Sequence, residues 1–405
     1  MKRFLLAVAL SFLAFTRRVA HAGSAYAYIA HTFGSRAGFV AGWTLLLTYL
    51  GFASGFAALV GSFAVSALQG LSISASGLWP IIGAAAILIA WWLAYRDMQL
   101  SGWVMLALEA AAVVGIIGLC ICILRREPPT AESIAASFRP SAQYGAWAGL
   151  GYGMVFSILS FAGFEGAATL GEETVNPRRN IPIALLGTVL GSGLFFIFVA
   201  YSESAGFARQ GLDGLAHSQA PLHDLALRYA APPLAIALDV AAATSCFCGI
   251  LGGLAAGGRV LFALGRAGLS PRLAQVHATH GTPAPAITST ALLILLPFLA
   301  AGPVTGAGNY YSYSSTVGVL ALILVYIGVG WAEVVEARRA RQPLWSSICA
   351  AGPVLLLWVL YRNIYPVPEF PNNLWPYFAL LWMISAWALM RARPAVASAP
   401  LPDYS

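Results

Sequence analysis

The sequence predicts an all-α protein built into a membrane, and three observations predict it. Of 405 residues, 59% are hydrophobic and only 9% charged, against roughly 25% charged in soluble domains. Long apolar runs recur along the chain, and about 20 apolar residues are what a helix needs to cross a bilayer. None of the runs alternates with period 2, so the backbone must close its own hydrogen bonds as helices rather than as a barrel.

Taken in order, the runs cover 4–16, 38–68, 79–95, 102–124, 147–171, 183–206, 232–264, 284–302, 311–332, 346–362 and 374–390, which makes eleven predicted spans of a polytopic protein. The first is short for a crossing. The second and seventh exceed one bilayer thickness and are expected to tilt or project. The longest loops, 125–146 and 207–231, each have room for a short surface helix and none holds a soluble domain. Residues 1–393 therefore read as a single transmembrane domain, and 394–405 as a disordered cytoplasmic tail.

The net charge is +7. Its basic residues sit in short loops between apolar runs, where they orient helices, so nucleic acid is excluded as a partner and the lipid bilayer takes its place. Alternate loops divide these residues fourteen to six, with Lys2 and Arg3 set apart. The richer side is cytoplasmic, which puts the C-terminus inside, in a cell inner (cytoplasmic) membrane. Eleven spans then place Met1 outside, with Lys2 and Arg3 on the wrong side. Cys120, Cys122, Cys246, Cys248 and Cys349 all lie in apolar runs without His at metal spacing, and read as packing residues. No metal and no cofactor is called for.

The N-terminus has two readings. Lys2-Arg3, Phe4–Phe15 and Ala20-His21-Ala22 have the layout of a signal peptide. Thr16-Arg17-Arg18 interrupts it, and the rival reading places Met1 within a membrane helix.

Three blocks resemble the amino acid–polyamine–organocation permease superfamily. They are Ala22-Gly23-Ser24-Ala25-Tyr26-Ala27-Tyr28 with Gly34, Gly38-Phe39 and Gly42-Trp43; Phe161-Ala162-Gly163-Phe164-Glu165 with Gly171-Glu172-Glu173 and Asn176-Pro177-Arg178-Arg179-Asn180-Ile181-Pro182; and Arg259 with Leu264-Gly265-Arg266-Ala267-Gly268, Pro271 and Thr282-Pro283. The resemblance runs from about residue 4 nearly to the end. It implies a LeuT-type inverted-repeat fold, two five-helix repeats plus two more helices. It also implies that the first of twelve helices is missing, the one carrying half of the substrate site. Eleven spans then mean twelve minus the first, 4–16 continues the second helix, and both termini fall inside. Either the start lies upstream or the chain is a truncated product.

The site residues follow from the resemblance and from physics. Phe161, Ala162, Gly163, Phe164 and Glu165 lie in a long apolar run that still holds a glycine and an acid. One reading is a kinked helix with a buried Glu. The other is a broken helix, whose freed backbone groups hold a substrate's ammonium or carboxylate. In that reading Gly163 removes a Cβ that would block approach, and Phe161 or Phe164 gates the substrate while the other packs. Glu165 either braces the break or touches substrate. Glu109 in the fifth helix is a proton-coupling candidate, against a neutral, hydrogen-bonded Glu. From Cys246 to Arg266 there is no Ser or Thr, which favours proton coupling or exchange over sodium. Asp239 and Glu203 are expected at the interface, and Tyr310, Tyr311 and Tyr313 as an aromatic belt or an outer gate.

The expected activity is secondary transport of a small-molecule substrate, an amino acid, by alternating access. The alternatives are an amine such as a polyamine or ethanolamine, or a fragment that does not transport. An intramembrane enzyme would need clustered His, Asp or Ser, and the six His lie in loops or near membrane ends.

Overall fold

The computed structural model describes residues 24–75, 77–96, 102–139, 147–163, 176–208, 214–215, 218 and 220–393. Those residues form thirteen α-helices: α1 Ser24–Phe33, α2 Ser35–Gly70, α3 Trp79–Tyr95, α4 Gly102–Arg126, α5 Ala131–Ser137, α6 Trp147–Leu159, α7 Pro177–Gly206, α8 Pro221–Tyr229, α9 Pro232–Arg266, α10 Ala284–Thr305, α11 Ala307–Arg339, α12 Pro343–Arg362 and α13 Trp375–Ala392. Among the described residues eight helices are long and apolar enough to cross a membrane, with α3 as a shorter apolar one. The short surface helices foreseen in the two longest loops are α5 and α8. The run 4–16, the signal-peptide reading of the N-terminus and the tail 394–405 lie outside the described residues.

The 36-residue α2 is the axis of the molecule. On one side Ala41, Leu45 and Phe52 join a core with Met154, Val155 and Ile158 of α6, Leu185 of α7, Val319 to Val329 of α11, and Leu356 and Val359 of α12. On the other, Leu46, Leu50, Ala53 and Ala57 join Ala86, Ile87 and Ala90 of α3, Ile250 and Leu254 of α9, and Ile294 and Phe298 of α10. Lipid tails are as apolar as leucine, so close packing rather than water exclusion must hold helices together. Small residues permit that approach. A Cβ added at Gly253 or Gly257 of α9 would meet Ala53 Cβ or Thr290 Cγ2, each at 2.9 Å, and one at Gly258 would meet Ile287 at 2.9 Å. A fourth tie is aromatic: Trp43 of α2 stacks on Trp382 of α13 at 4.9 Å, and the Trp382 indole donates to the Trp43 carbonyl at 2.8 Å.

The sequence boundaries need correcting at several points. Helix α7 starts at Pro177, not at 183, and absorbs Pro182 in its second turn, where a missing N–H costs one intrahelical bond. Asn176 begins it from a left-handed conformation at φ 52°. Tyr310 is no belt residue: it is buried, its hydroxyl shares a 2.7 Å hydrogen bond with Ser54 of α2, and its ring meets Phe298 edge-on. Asp239, expected at the interface, is covered by protein and only 2% exposed. The amphipathic α8 folds over it, burying Leu225, Ala226 and Tyr229 against Leu119 and Ile123 of α4 and Leu238 of α9.

Candidate functional site

Helix α6 stops inside its apolar run. The Ser160 N–H still bonds four residues back to Phe156, but Phe161 and Ala162 bond only three back, to Ile158 and Leu159, at 3.1 and 2.9 Å. This is the tightening that ends a helix. Gly163 then turns to φ +96°, a conformation that side chains with a Cβ rarely adopt. The glycine is explained by that backbone angle and not by crowding, because a Cβ built on it meets nothing within 4 Å.

Phe161 is 8% exposed. Its ring stands edge-on to Phe196 of α7 at 5.4 Å, and lies 3.4 Å from where Gly193 would carry a Cβ. Ala162 is half-buried and Gly163 exposed. Phe164 and Glu165 lie outside the described residues.

Glu109 is half-buried on α4. Its carboxyl acts electrostatically on the thiols of Cys246 and Cys248 in α9. Cys246 in turn acts electrostatically on Tyr311 of α11. No hydrogen bond or ring contact between described residues joins Glu109 to the end of α6, so the two predicted stations remain separate there. Among the described residues no cluster of three or more His, Cys, Asp or Glu could hold a metal.

Along α9, Gly252 differs from its neighbours. A Cβ there meets no described residue within 4 Å, so packing among the described residues does not account for it.

Sequence reasoning missed one cluster. His223 Nδ1 lies 2.8 Å from Asp239 Oδ2 and 3.5 Å from Ser66 Oγ. The three come from α8, α9 and α2, and only the fold unites them. Both contacts use the same ring nitrogen. A nucleophilic relay needs the serine on one nitrogen and the acid on the other, so Ser66 is not activated for catalysis.

Comparison with known proteins places these features. The amino acid permease family model matches residues 3–391. The branched-chain amino acid permease BcaP of Lactococcus lactis is 25% identical, over 78% of this chain and 71% of its own. The low-affinity putrescine importer PlaP of Escherichia coli K12 is 25% identical over 99% of this chain and 86% of its own. A crystal structure of a manganese transporter variant from Eremococcus coleocola superposes with a TM-score of 0.52 at 12% identity, covering 98% of this chain and 89% of the other. That last likeness speaks for a shared fold. With nearly its whole length matched, the chain belongs to the amino acid permease family, a family of membrane transporters and not of enzymes.

Proposed function

We propose that the chain is the transmembrane body of a secondary carrier for amino acids in the cytoplasmic membrane, working by alternating access with proton coupling or exchange. The observation that carries this reading is the interruption of α6 at Ser160–Gly163, inside an apolar run that would otherwise continue as helix. Irregular backbone at membrane depth is tolerated only where protein or a polar cavity receives it. A helix end there offers carbonyls and a dipole to a substrate's ammonium.

In this reading Phe161 packs against α7 and positions the break, Ala162 and Gly163 offer backbone, Phe164 is the gate, and Glu165 braces the break or meets the substrate. Gly252 lines the pathway, since nothing packs on it. Glu109 takes the coupling proton. The LeuT-type scheme moves α6 and α7 against α2, α3, α9 and α10. Its support is that these last four share one continuous core. Ten described helices match predicted spans. With 4–16 they make eleven crossings, with the C-terminus cytoplasmic.

A second reading, transport of amines, is favoured by the near full-length match to a protein named as a putrescine importer. Uptake of labelled amino acids and of labelled putrescine into proteoliposomes, with and without an inward proton gradient, separates the two. Saturable amino acid uptake supports the first reading and putrescine uptake the second. No uptake of either by a folded preparation sinks both.

A further inference from the structure

We propose that Ser66, His223 and Asp239 form a proton-binding site on the outer face, separate from Glu109, whose occupancy latches α8 onto the ends of α2 and α9. The argument starts from Asp239. Its carboxylate is 2% exposed, and an ionised acid in that position needs a partner. His223 Nδ1 is that partner at 2.8 Å, and the Ser66 hydroxyl lies 3.5 Å from the same nitrogen. Ser66 comes from α2 and Asp239 from α9, helices of the four that share one core. His223 comes from α8 and keeps 17% of its side chain exposed, so protons from the outer solution reach it.

Helix α8 is anchored at its other end to different helices. The Tyr229 hydroxyl donates to the Gly206 carbonyl at 3.1 Å, and Arg228 Nη1 donates to the same carbonyl at 3.3 Å. Gly206 ends α7, and Leu225 packs with Ile123 of α4. The short helix therefore straps α7, and α4 beside it, to α2 and α9; in the proposed scheme α7 moves against the group that holds α2 and α9. Among the described contacts of this strap, that of His223 is the one made by an imidazole, the side-chain type suited to switching charge near neutrality.

The other charged groups around it have other tasks. Asp224 adds a second negative charge within electrostatic range of Asp239 and is bound by Ser218 at 2.6 Å. Arg126 donates to the Arg228 carbonyl. Glu127 accepts from Tyr229. Arg125 ends α4, and Glu203 of α7 is half-buried, its field acting on Cys120 of α4. Helix α2 has no charged residue past Arg36.

The sign follows by linkage. With the strap down, the imidazolium faces a buried carboxylate. With the strap lifted, it faces water. A cationic ring 2.8 Å from a buried carboxylate favours the closed strap, so acid outside is expected to close it and raising the pH to loosen it. A neutral ring still donates one hydrogen bond to Asp239, so the strap weakens rather than fails.

Pulsed electron paramagnetic resonance tests this. Spin labels are placed at Leu227→Cys on α8 and Ile73→Cys beyond α2, both about half exposed, with the five native cysteines replaced by alanine. Distances are read in proteoliposomes at about pH 5.5 and about pH 8.0, spanning imidazole titration. The longer-distance population is expected to grow about three- to tenfold at the higher pH, as when a charge-assisted hydrogen bond becomes a neutral one. His223→Gln and Asp239→Asn remove the response, and His223→Arg holds the short distance at both pH values. Deuterium uptake by residues 220–231 of the unsubstituted protein, corrected for intrinsic exchange, follows the same order and covers failure of the cysteine-free form to fold. A wild-type distribution that ignores pH, or an unchanged response in His223→Gln, overturns the proposal. Neither readout uses a transported solute, so the latch and the carrier reading stand or fall separately.

Discussion

Gly163 and Gly252 are the same residue type under different constraints. Gly163 sits at φ +96°, and a Cβ built on it meets no described residue within 4 Å. Gly163→Ala is expected to cost about 1–2 kcal/mol, the penalty for a Cβ in left-handed backbone. Thermal unfolding in detergent measures it. Gly252 lies inside α9 and meets nothing, so Gly252→Leu should leave the unfolding temperature within error and still depress uptake. Glu109→Gln is expected to abolish stimulation of uptake by a proton gradient while leaving counterflow of preloaded substrate, because exchange needs no net proton transfer. At this scale the sequence shows which residues are unusual and not why. Gly163 stands out as a small residue in an apolar run, but its φ is invisible until α6 is seen to end. Asp239 reads as interfacial because its partner His223 is 16 residues away, on a helix whose docking no local pattern reveals.

Packing between helices decides which glycines matter to stability. Gly258→Leu should drive a side chain into Ile287 of α10, 2.9 Å from the added Cβ, at a cost of about 1–3 kcal/mol for overpacking. The measure is loss of monodisperse protein on gentle heating. Trp382→Ala removes both the stack on Trp43 and the indole hydrogen bond to its carbonyl, which should loosen α13 by about 3–5 kcal/mol on the scale of large-to-small core changes. The helices themselves are legible because each needs only an apolar run of bilayer length. Their ends are less so. The apolar run puts the start of α7 at 183, yet the helix begins at Pro177 and runs through Pro182, since one lost bond near a helix start is tolerable. Tyr310 reads as membrane-facing because interfacial tyrosines are common, whereas Ser54, far away in sequence, receives its hydroxyl.

Across the whole molecule, α2 and α11 contribute to both large cores, whereas α6, α7 and α12 belong to one and α3, α9 and α10 to the other. This is the arrangement a two-body machine requires, with a shared spine between the bodies. The orientation read from the basic loops has a direct check. A cysteine at Ser133 of α5 should react with an impermeant maleimide added outside intact cells, and one at Ala340, beyond α11, should react only after permeabilisation. The reverse pattern would invert the topology and move the α8 strap to the cytoplasmic face.

The central place of α2 also bears on how the protein is made. The contact between Trp43 and Trp382 spans 339 positions, which at about 5–20 residues per second is on the order of 20–70 s of synthesis. Throughout that interval α2 stands in lipid without its last partner. It is suited to the wait: Thr44 turns its hydroxyl back onto the Val40 carbonyl at 2.7 Å, and the helix has no charge beyond its first turn. A nascent chain arrested before α9 emerges would expose the side of α2 that later receives the glycines of α9. In the cell, that half-built surface is where quality control has its longest opportunity to act.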